Sequence, residues 1–276
     1  MYPHNHGVLD NEGPNGGIEA YARSGRAGCD LPVWLQRAGY ETAYIGKYLN
    51  GYGTATEAAH IPPGWNNWQG LPIDNRYEGY LMNDNGRLVW PEKEQTAELA
   101  DRAVRYLDSA IAPFFLMVAP FAPHRPSLGD LPRGNWNPAY QRGLGDRLAS
   151  LVDRVADSLP PNTLMIVTSD NGYHWEPYAG KELPYDTDTR VPLVIVGLEG
   201  IDERLAPNID VTATIAEWAG VRIPMDGQSL FAQERSSVLI ELHGWQATRT
   251  HEELTIRWAD GRVEVSTTGC PDSRPC

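Results

Sequence analysis

Four apolar runs set the terms on which this chain can fold: ETAYIG (41–46), FFLMVA (114–119), TLMIVT (163–168) and VPLVIVG (191–197). Each is short and bounded by turn-forming residues, so each reads as a strand. The last three run almost without polar interruption, the pattern of strands covered on both faces. Helical patterns fall between them. LPVWLQRAG (31–39) reads as a short helix, with the Asp30 carboxylate placed to cap its exposed amides and Gly39 to stop it. After Pro91, Ala100, Ala103, Val104, Leu107 and Ile111 recur on one helical face. Leu144, Leu148, Leu151, Val152, Val155 and Leu159 form a second stripe, ended by Pro160-Pro161. IDVTATIAEWAG (209–220) is a further helix. Residues 50–90 are rich in Gly, Pro, Asn and Trp and lose periodicity, so a long decorated loop region is expected there. From about residue 236 the pattern turns β-rich, and RWADGRVEV reads as a hairpin around Asp260-Gly261. The expectation is an α/β sandwich over residues 1–235 and a small β-containing C-terminal section over 236–276.

A formal charge of −13 disfavours nucleic acid and other polyanions as partners. It leaves room for a local cationic pocket or a bound cation. The longest apolar run is far shorter than a bilayer requires, so no membrane span is expected. The first residues carry neither a basic nor an apolar region, so no secretory signal is expected in this stretch, and no compartment follows from composition. Three cysteines do not make a disulfide framework; Cys270 and Cys276 could pair across a short tail, leaving Cys29.

Chemistry in such folds collects in the loops past the carboxyl ends of the strands. ETAYI runs into GKYLNGYG, which puts Lys47 at a strand end among glycines. FFLMVA runs into PFAPHRP, where prolines stiffen the chain around His124 and Arg125. TLMIVTS runs into DNGYH, which sets Asp170 beside Asn171 with His174 close behind. An adjacent carboxylate and amide oxygen suit a hard cation such as calcium or magnesium. Lysines, a histidine and a cation together suit a tetrahedral oxyanion ester, because developing negative charge would meet fixed positive charge. Each motif alone is commonplace. DNG is more often a turn than a ligand pair, and His4 and His6 have the spacing of a metal pair but sit where histidines are usually incidental. Their shared placement at strand ends gives them weight.

Eight stretches then carry a resemblance: YPHNHGV, LQRAGYETAYIGKYLNGYG, PPGWNNW, APHRP, TSDNGYH, GKELPYDTDTRVPLVI, NIDVTATIAEWAGV and MDGQSL. In this order they resemble the sulfatase family of the alkaline-phosphatase superfamily, in particular the branch of N-acetylglucosamine-6-sulfatases and related bacterial arylsulfatases. The resemblance implies an alkaline-phosphatase-like α/β/α sandwich and hydrolysis of a sulfuric ester on a sulfated sugar or aryl sulfate. It implies that Lys47 and Lys181 contact the sulfate and that His124 stabilises it or protonates the leaving oxygen. Asp170 and Asn171 would be two of four protein ligands to Ca2+, with His174 and Arg125 as substrate contacts. WEPYAGK, after His174, departs from the longer stretch common in relatives.

In this family YPHNHGV follows a C-x-P-S-R element whose cysteine becomes formylglycine, and a first strand supplying two more metal carboxylates. Neither is found in these 276 residues: Cys29 has no arginine four residues on, and Cys270, in CPDSR, has Asp where the motif needs Pro. The resemblance therefore implies a sulfatase-like chain, incomplete at its N-terminus and inactive as given. Two alternatives stand beside it. One is a non-catalytic pseudoenzyme or binding module; the other is a phosphohydrolase of the same superfamily with a Ser or Thr nucleophile. Oligomeric state is not legible.

Overall fold

The computed structural model describes residues 1–26, 28–72, 76–126, 136–176, 178–197, 199–232 and 234–267. Cys270 and Cys276, and with them the expected tail pairing, lie outside the described residues. The chain divides into two compact units, one spanning Asn11–Thr163 and the other joining Met1–Asp10 to the chain from Leu164 onward. In chain order the elements are α1 (Pro3–His6), α2 (Gly17–Arg23), α3 (Leu31–Arg37), β1 (Glu41–Lys47), β2 (Asn67–Leu71), β3 (Met82–Asp84), β4 (Arg87–Val89), α4 (Gln95–Ser109), β5 (Phe114–Ala119) and α5 (Pro138–Asp157). They continue with β6 (Met165–Thr168), α6 (Asp186–Thr189), β7 (Leu193–Val196), α7 (Asn208–Trp218), β8 (Val238–Leu242), β9 (Trp245–Arg249), β10 (Glu253–Trp258) and β11 (Val263–Thr267).

The Asn11–Thr163 unit is built on a mixed sheet in the order β4-β3-β2-β1-β5. Strand β1 lies parallel to both neighbours, pairing Tyr44 with Trp68 of β2 and with Met117 of β5. An aromatic cluster locks this register. Tyr44 stacks on Trp68 with centroids 4.8 Å apart, and Tyr48, Tyr52 and Trp65 pack around them. The polar edges of these buried rings are answered: Trp68 Nε1 donates to the Tyr52 hydroxyl (2.8 Å), as does Asn83 Nδ2 (2.9 Å).

The expected loop over 50–90 is thus partly sheet. NWQGL has no apolar period: Trp68 and Leu71, three residues apart, anchor it in the core, while Asn and Gln side chains serve the backbone and one another. The turn into β4 is the Asn85-Gly86 pair at φ 52° and 88°, the left-handed geometry that a tight hairpin demands. FFLMVA is also less covered than expected. β5 is the edge of its sheet, and Met117 is 45% exposed. The α4 helix ends at Ser109, so Ile111 lies beyond it and is 74% exposed. Asp30 precedes α3 but makes no capping bond; its carboxylate accepts from the Tyr21 hydroxyl.

The other unit holds an antiparallel pair, β6 with β7, and an antiparallel sheet β11-β10-β9-β8. TLMIVT and VPLVIVG form β6 and β7, yet Val194 and Val196 are 52% and 40% exposed, so these strands are not covered on both faces. The C-terminal sheet closes around Trp245, Ala247, Leu254 and Ile256. Its last hairpin turns at Asp260-Gly261 as the sequence predicts. Among the described residues no helix is long and apolar enough to cross a membrane.

Two consequences are measurable. Gly46, next to Lys47, sits at φ 128°, and a Cβ there would meet the Ala119 carbonyl oxygen at 2.1 Å. Gly46→Ala should therefore cost about 3 kcal/mol in urea unfolding, as strain and clash add. Burial pushes the Asp30 carboxyl up to about 6. A raised acid stabilises the fold while protonated and loses that contribution as pH climbs from about 4 through 6. Asp30→Asn should leave stability unchanged near pH 4 and raise it by about 1 kcal/mol at pH 8, the value discounted for partial solvent screening.

Candidate functional site

Lys47 is the last residue of β1, and β5 ends beside it, with Gly46 paired to Ala119. The Tyr44 hydroxyl donates to the Lys47 carbonyl, tying the strand end to the aromatic cluster. Five residues past β5, His124 stacks at a tilt on Phe121, centroids 4.6 Å apart. The Lys47 ammonium lies 5.7 Å from the centroid of that same ring. Phe121 is buried, so one fixed aromatic ring contacts both the lysine and the histidine. His124 Nδ1 donates to the Arg125 carbonyl (2.7 Å), since a carbonyl can only accept. The His124 side chain is otherwise exposed. The Tyr77 hydroxyl donates to the His124 carbonyl (2.8 Å) and holds the loop from below. The Arg125 side chain is exposed.

Asp170 and Asn171 follow β6 by two residues and form a tight turn. Asp170 Oδ1 accepts from the Asn171 amide (2.9 Å), and Asn171 Nδ2 donates to the Gly172 carbonyl (2.7 Å). That orientation turns Asn171 Oδ1 outward, where it accepts from Lys181 Nζ at 3.2 Å. The first residue of α7, Asn208, donates to the Ser169 carbonyl and pins the turn (3.2 Å). Asp170 and Asn171 are oxygen donors of the kind a hard cation takes, but they are two where calcium takes about six to eight. Among the described residues no three His, Cys, Asp or Glu side chains gather as a metal shell. The pair suits calcium in kind and falls short of it in number.

His174 is buried at 4% exposure, and its Nδ1 donates to both oxygens of Asp188 (2.8 and 3.0 Å). Its Nε2 is buried with no hydrogen-bond partner among the described residues, a cost of about 1–3 kcal/mol. Asp188 escaped the sequence reading because YDTDT offers two acids and only burial separates them. Asp186 instead pairs with Arg249 at the C-terminal sheet.

His4 and His6 take separate partners. His4 Nδ1 meets Glu241 Oε2 (2.7 Å), and His6 Nδ1 accepts from the Val8 amide (3.0 Å). The residue between them matters more. Asn5 Nδ2 donates to both oxygens of Asp226 (3.0 and 2.9 Å), which also accepts from the Tyr2 amide (2.8 Å). Arg235 joins Asp226 to buried Asp210, so the MDGQS and NIDVT stretches form the seat of YPHNH.

The structure thus brings Lys47 to His124 in one unit and Asp170 and Asn171 to Lys181 in the other, while His174 faces inward. The family model for sulfatases matches residues 1–221. A putative extracellular sulfatase Sulf-1 homolog of Caenorhabditis elegans is 31% identical over 83% of this chain and 41% of its own length. The human N-acetylglucosamine-6-sulfatase is 28% identical over 88% of this chain and 57% of its own. The chain therefore spans about half the length of these relatives. Among solved structures, a protein in complex with its substrate D-glucosamine-2-N,6-O-disulfate aligns at a TM-score of 0.70 and 18% identity. That alignment covers 97% of this chain and 79% of the other. The fold is the α/β architecture of the alkaline-phosphatase superfamily, and the chain belongs to the sulfatase family.

Proposed function

We propose that this chain carries the sulfate-binding and leaving-group machinery of a sulfuric ester hydrolase. The observation that carries the reading is the pairing of Lys47 and His124 on Phe121 at the ends of adjacent parallel strands. Hydrolysis breaks the bond from sulfur to the bridging oxygen, and that oxygen gathers negative charge as it leaves. The Lys47 ammonium contacts the sulfate oxygens and offsets their charge throughout, and the family resemblance gives Lys181 the same role. The His124 imidazolium gives its Nε2 proton to the bridging oxygen and so releases a neutral alcohol. Arg125, exposed beside His124, contacts the sugar or aryl portion. A sulfated sugar is favoured as substrate, as two similar proteins are named or solved with one.

Asp170 and Asn171 are the calcium donors of this reading. The attacking nucleophile has no counterpart here, since none of the cysteines heads a Cys-x-Pro-x-Arg element. No step is assigned to a formylglycine in these residues. The 276 residues should therefore bind sulfate esters without turning them over.

Isothermal titration with glucosamine 6-sulfate tests the binding half. Lys47→Ala, His124→Ala and Lys181→Ala should each weaken it about tenfold, the loss expected for one charge-assisted bond. Unchanged affinity in all three variants sinks the assignment, and equal binding of a phosphate monoester moves it toward phosphoryl chemistry. Rapid release of sulfate by these residues alone would require a nucleophile within them. Calcium should bind weakly, with Kd on the order of 0.1–1 mM, because two donors leave most of its shell to water. Asp170→Ala should abolish that binding. Submicromolar affinity would show that other side chains complete the shell.

A further inference from the structure

We propose that His174 and Asp188 are positioning residues that together hold Lys181 on Asn171, an inference that rests on the sulfate-binding reading of Lys181. The segment from Gly172 to Asp188 is a loop closed on itself by this buried pair. On one side, the Asp188 carbonyl accepts from the Gly172 amide (2.7 Å), immediately after Asn171. Only glycine fits there, because a Cβ would meet the Thr187 carbonyl oxygen at 2.1 Å. On the other side, His174 and Gly180 exchange two backbone hydrogen bonds of 2.9 Å each, which fixes the residue before Lys181. Asp188 Oδ2 accepts from the Leu183 amide (2.7 Å), which fixes the chain two residues after it.

Lys181 therefore stands between two points held by the same pair of side chains. The Nδ1–H of His174 joins those points through the Asp188 carboxylate. The outer side of the loop is gripped by the C-terminal sheet. Trp245 Nε1 donates to the Glu182 carbonyl (3.0 Å), the Tyr185 hydroxyl meets Glu264 (3.1 Å), and Arg249 pairs with Asp186. Glu182 itself holds φ 89°, a left-handed conformation that a non-glycine residue keeps only when its surroundings enforce it. A histidine whose second nitrogen is buried without a partner would be poor choice for packing alone. Its presence is accounted for by the single donor it offers to Asp188.

The chain has only three lysines, Lys47, Lys93 and Lys181, which makes a direct test possible. Reductive methylation with 13C-formaldehyde gives one NMR signal for each, apart from the N-terminal amine, assigned by Lys→Arg substitution. In the native protein the Lys181 signal should stand apart from its position in the urea-unfolded chain. His174→Phe keeps the ring but removes the donor, and should move the Lys181 signal most of the way to the unfolded position. Lys47 and Lys93 should stay in place. His174→Asn returns a donor through Nδ2 and should restore the Lys181 signal. Sulfate should then bind about tenfold more weakly to the Phe variant and near-normally to the Asn variant.

A Lys181 signal unmoved by His174→Phe, with Lys93 native, overturns the proposal, as does a His174→Asn variant no closer to native than the Phe variant. If His174→Phe displaces Lys93 as well, the fold is lost and Asp188→Asn decides instead. That variant keeps an acceptor for Leu183 and should release Lys181 with Lys93 native; an unmoved Lys181 signal again overturns the proposal. The signals are read before any anion is added. Sulfate that moves neither Lys47 nor Lys181 in the native protein therefore counts against the sulfate-binding reading and leaves the positioning result to stand or fall by itself.

Discussion

A buried carboxylate has to be satisfied on every side, and Asp188 shows what that requirement builds. Its oxygens take the His174 ring nitrogen and the Leu183 amide, and its own carbonyl takes Gly172. Remove the carboxylate and three segments of chain lose their common point. The segment from 170 to 188 has no long regular element, so its shape cannot come from a ladder of backbone bonds. It comes from one polar group placed where water cannot substitute for the missing partners. The geometry of Asn171 and Lys181 follows from that satisfaction.

The Asn11–Thr163 unit reaches a similar end by packing. Parallel strands β1 and β5 approach so closely at Gly46 and Ala119 that no side chain fits between them. Tyr44, buried against Trp68, then reaches along the strand to hold the Lys47 carbonyl. Phe121, just past the end of β5, contacts both Lys47 and His124. An aromatic ring is well suited to this. It is rigid, it buries much apolar area, and its face attracts a cation without neutralising it as a carboxylate would.

Much of this was legible in the residues, and what was not has physical reasons. The strand ends bearing Lys47 and Asp170 could be read because apolar runs and glycines have few other uses. The 260–261 hairpin could be read from its Asp-Gly turn. The strands at 67–71, 82–84 and 87–89 are hidden from a local reading because they are held by pairing in the order β4-β3-β2-β1 and by amide side chains, which leave no apolar period; Asn85-Gly86 is the one local signal of their turn. Asp30 does not cap α3, because capping competes with any nearby donor and its carboxylate takes the Tyr21 hydroxyl. Continuous apolarity in β5, β6 and β7 suggests two-sided cover, yet Met117, Val194 and Val196 are substantially exposed. Apolar sequence records what a residue tolerates, and the cover it finds depends on neighbours that a local pattern does not contain. His174 could be seen as chemically able, but only its burial against Asp188 showed which way it faces.

An anionic chain proposed to bind an anionic ester also faces an electrostatic constraint. With a formal charge of −13, the protein as a whole repels sulfate. Beyond a screening length of about 8 Å at physiological salt that repulsion fades, so capture is decided by the charges nearest the ligand. Of the three lysines, Lys93 pairs with Asp101, Lys47 lies over Phe121 and Lys181 meets Asn171. A lysine side chain carries about 2 kcal/mol of rotamer entropy, so an unrestrained ammonium gives back much of what it gains on binding. Holding Lys47 over Phe121 and Lys181 on Asn171 removes part of that loss before the ligand arrives. Under the sulfate-binding proposal, each restrained ammonium would then give back less on binding than a mobile one.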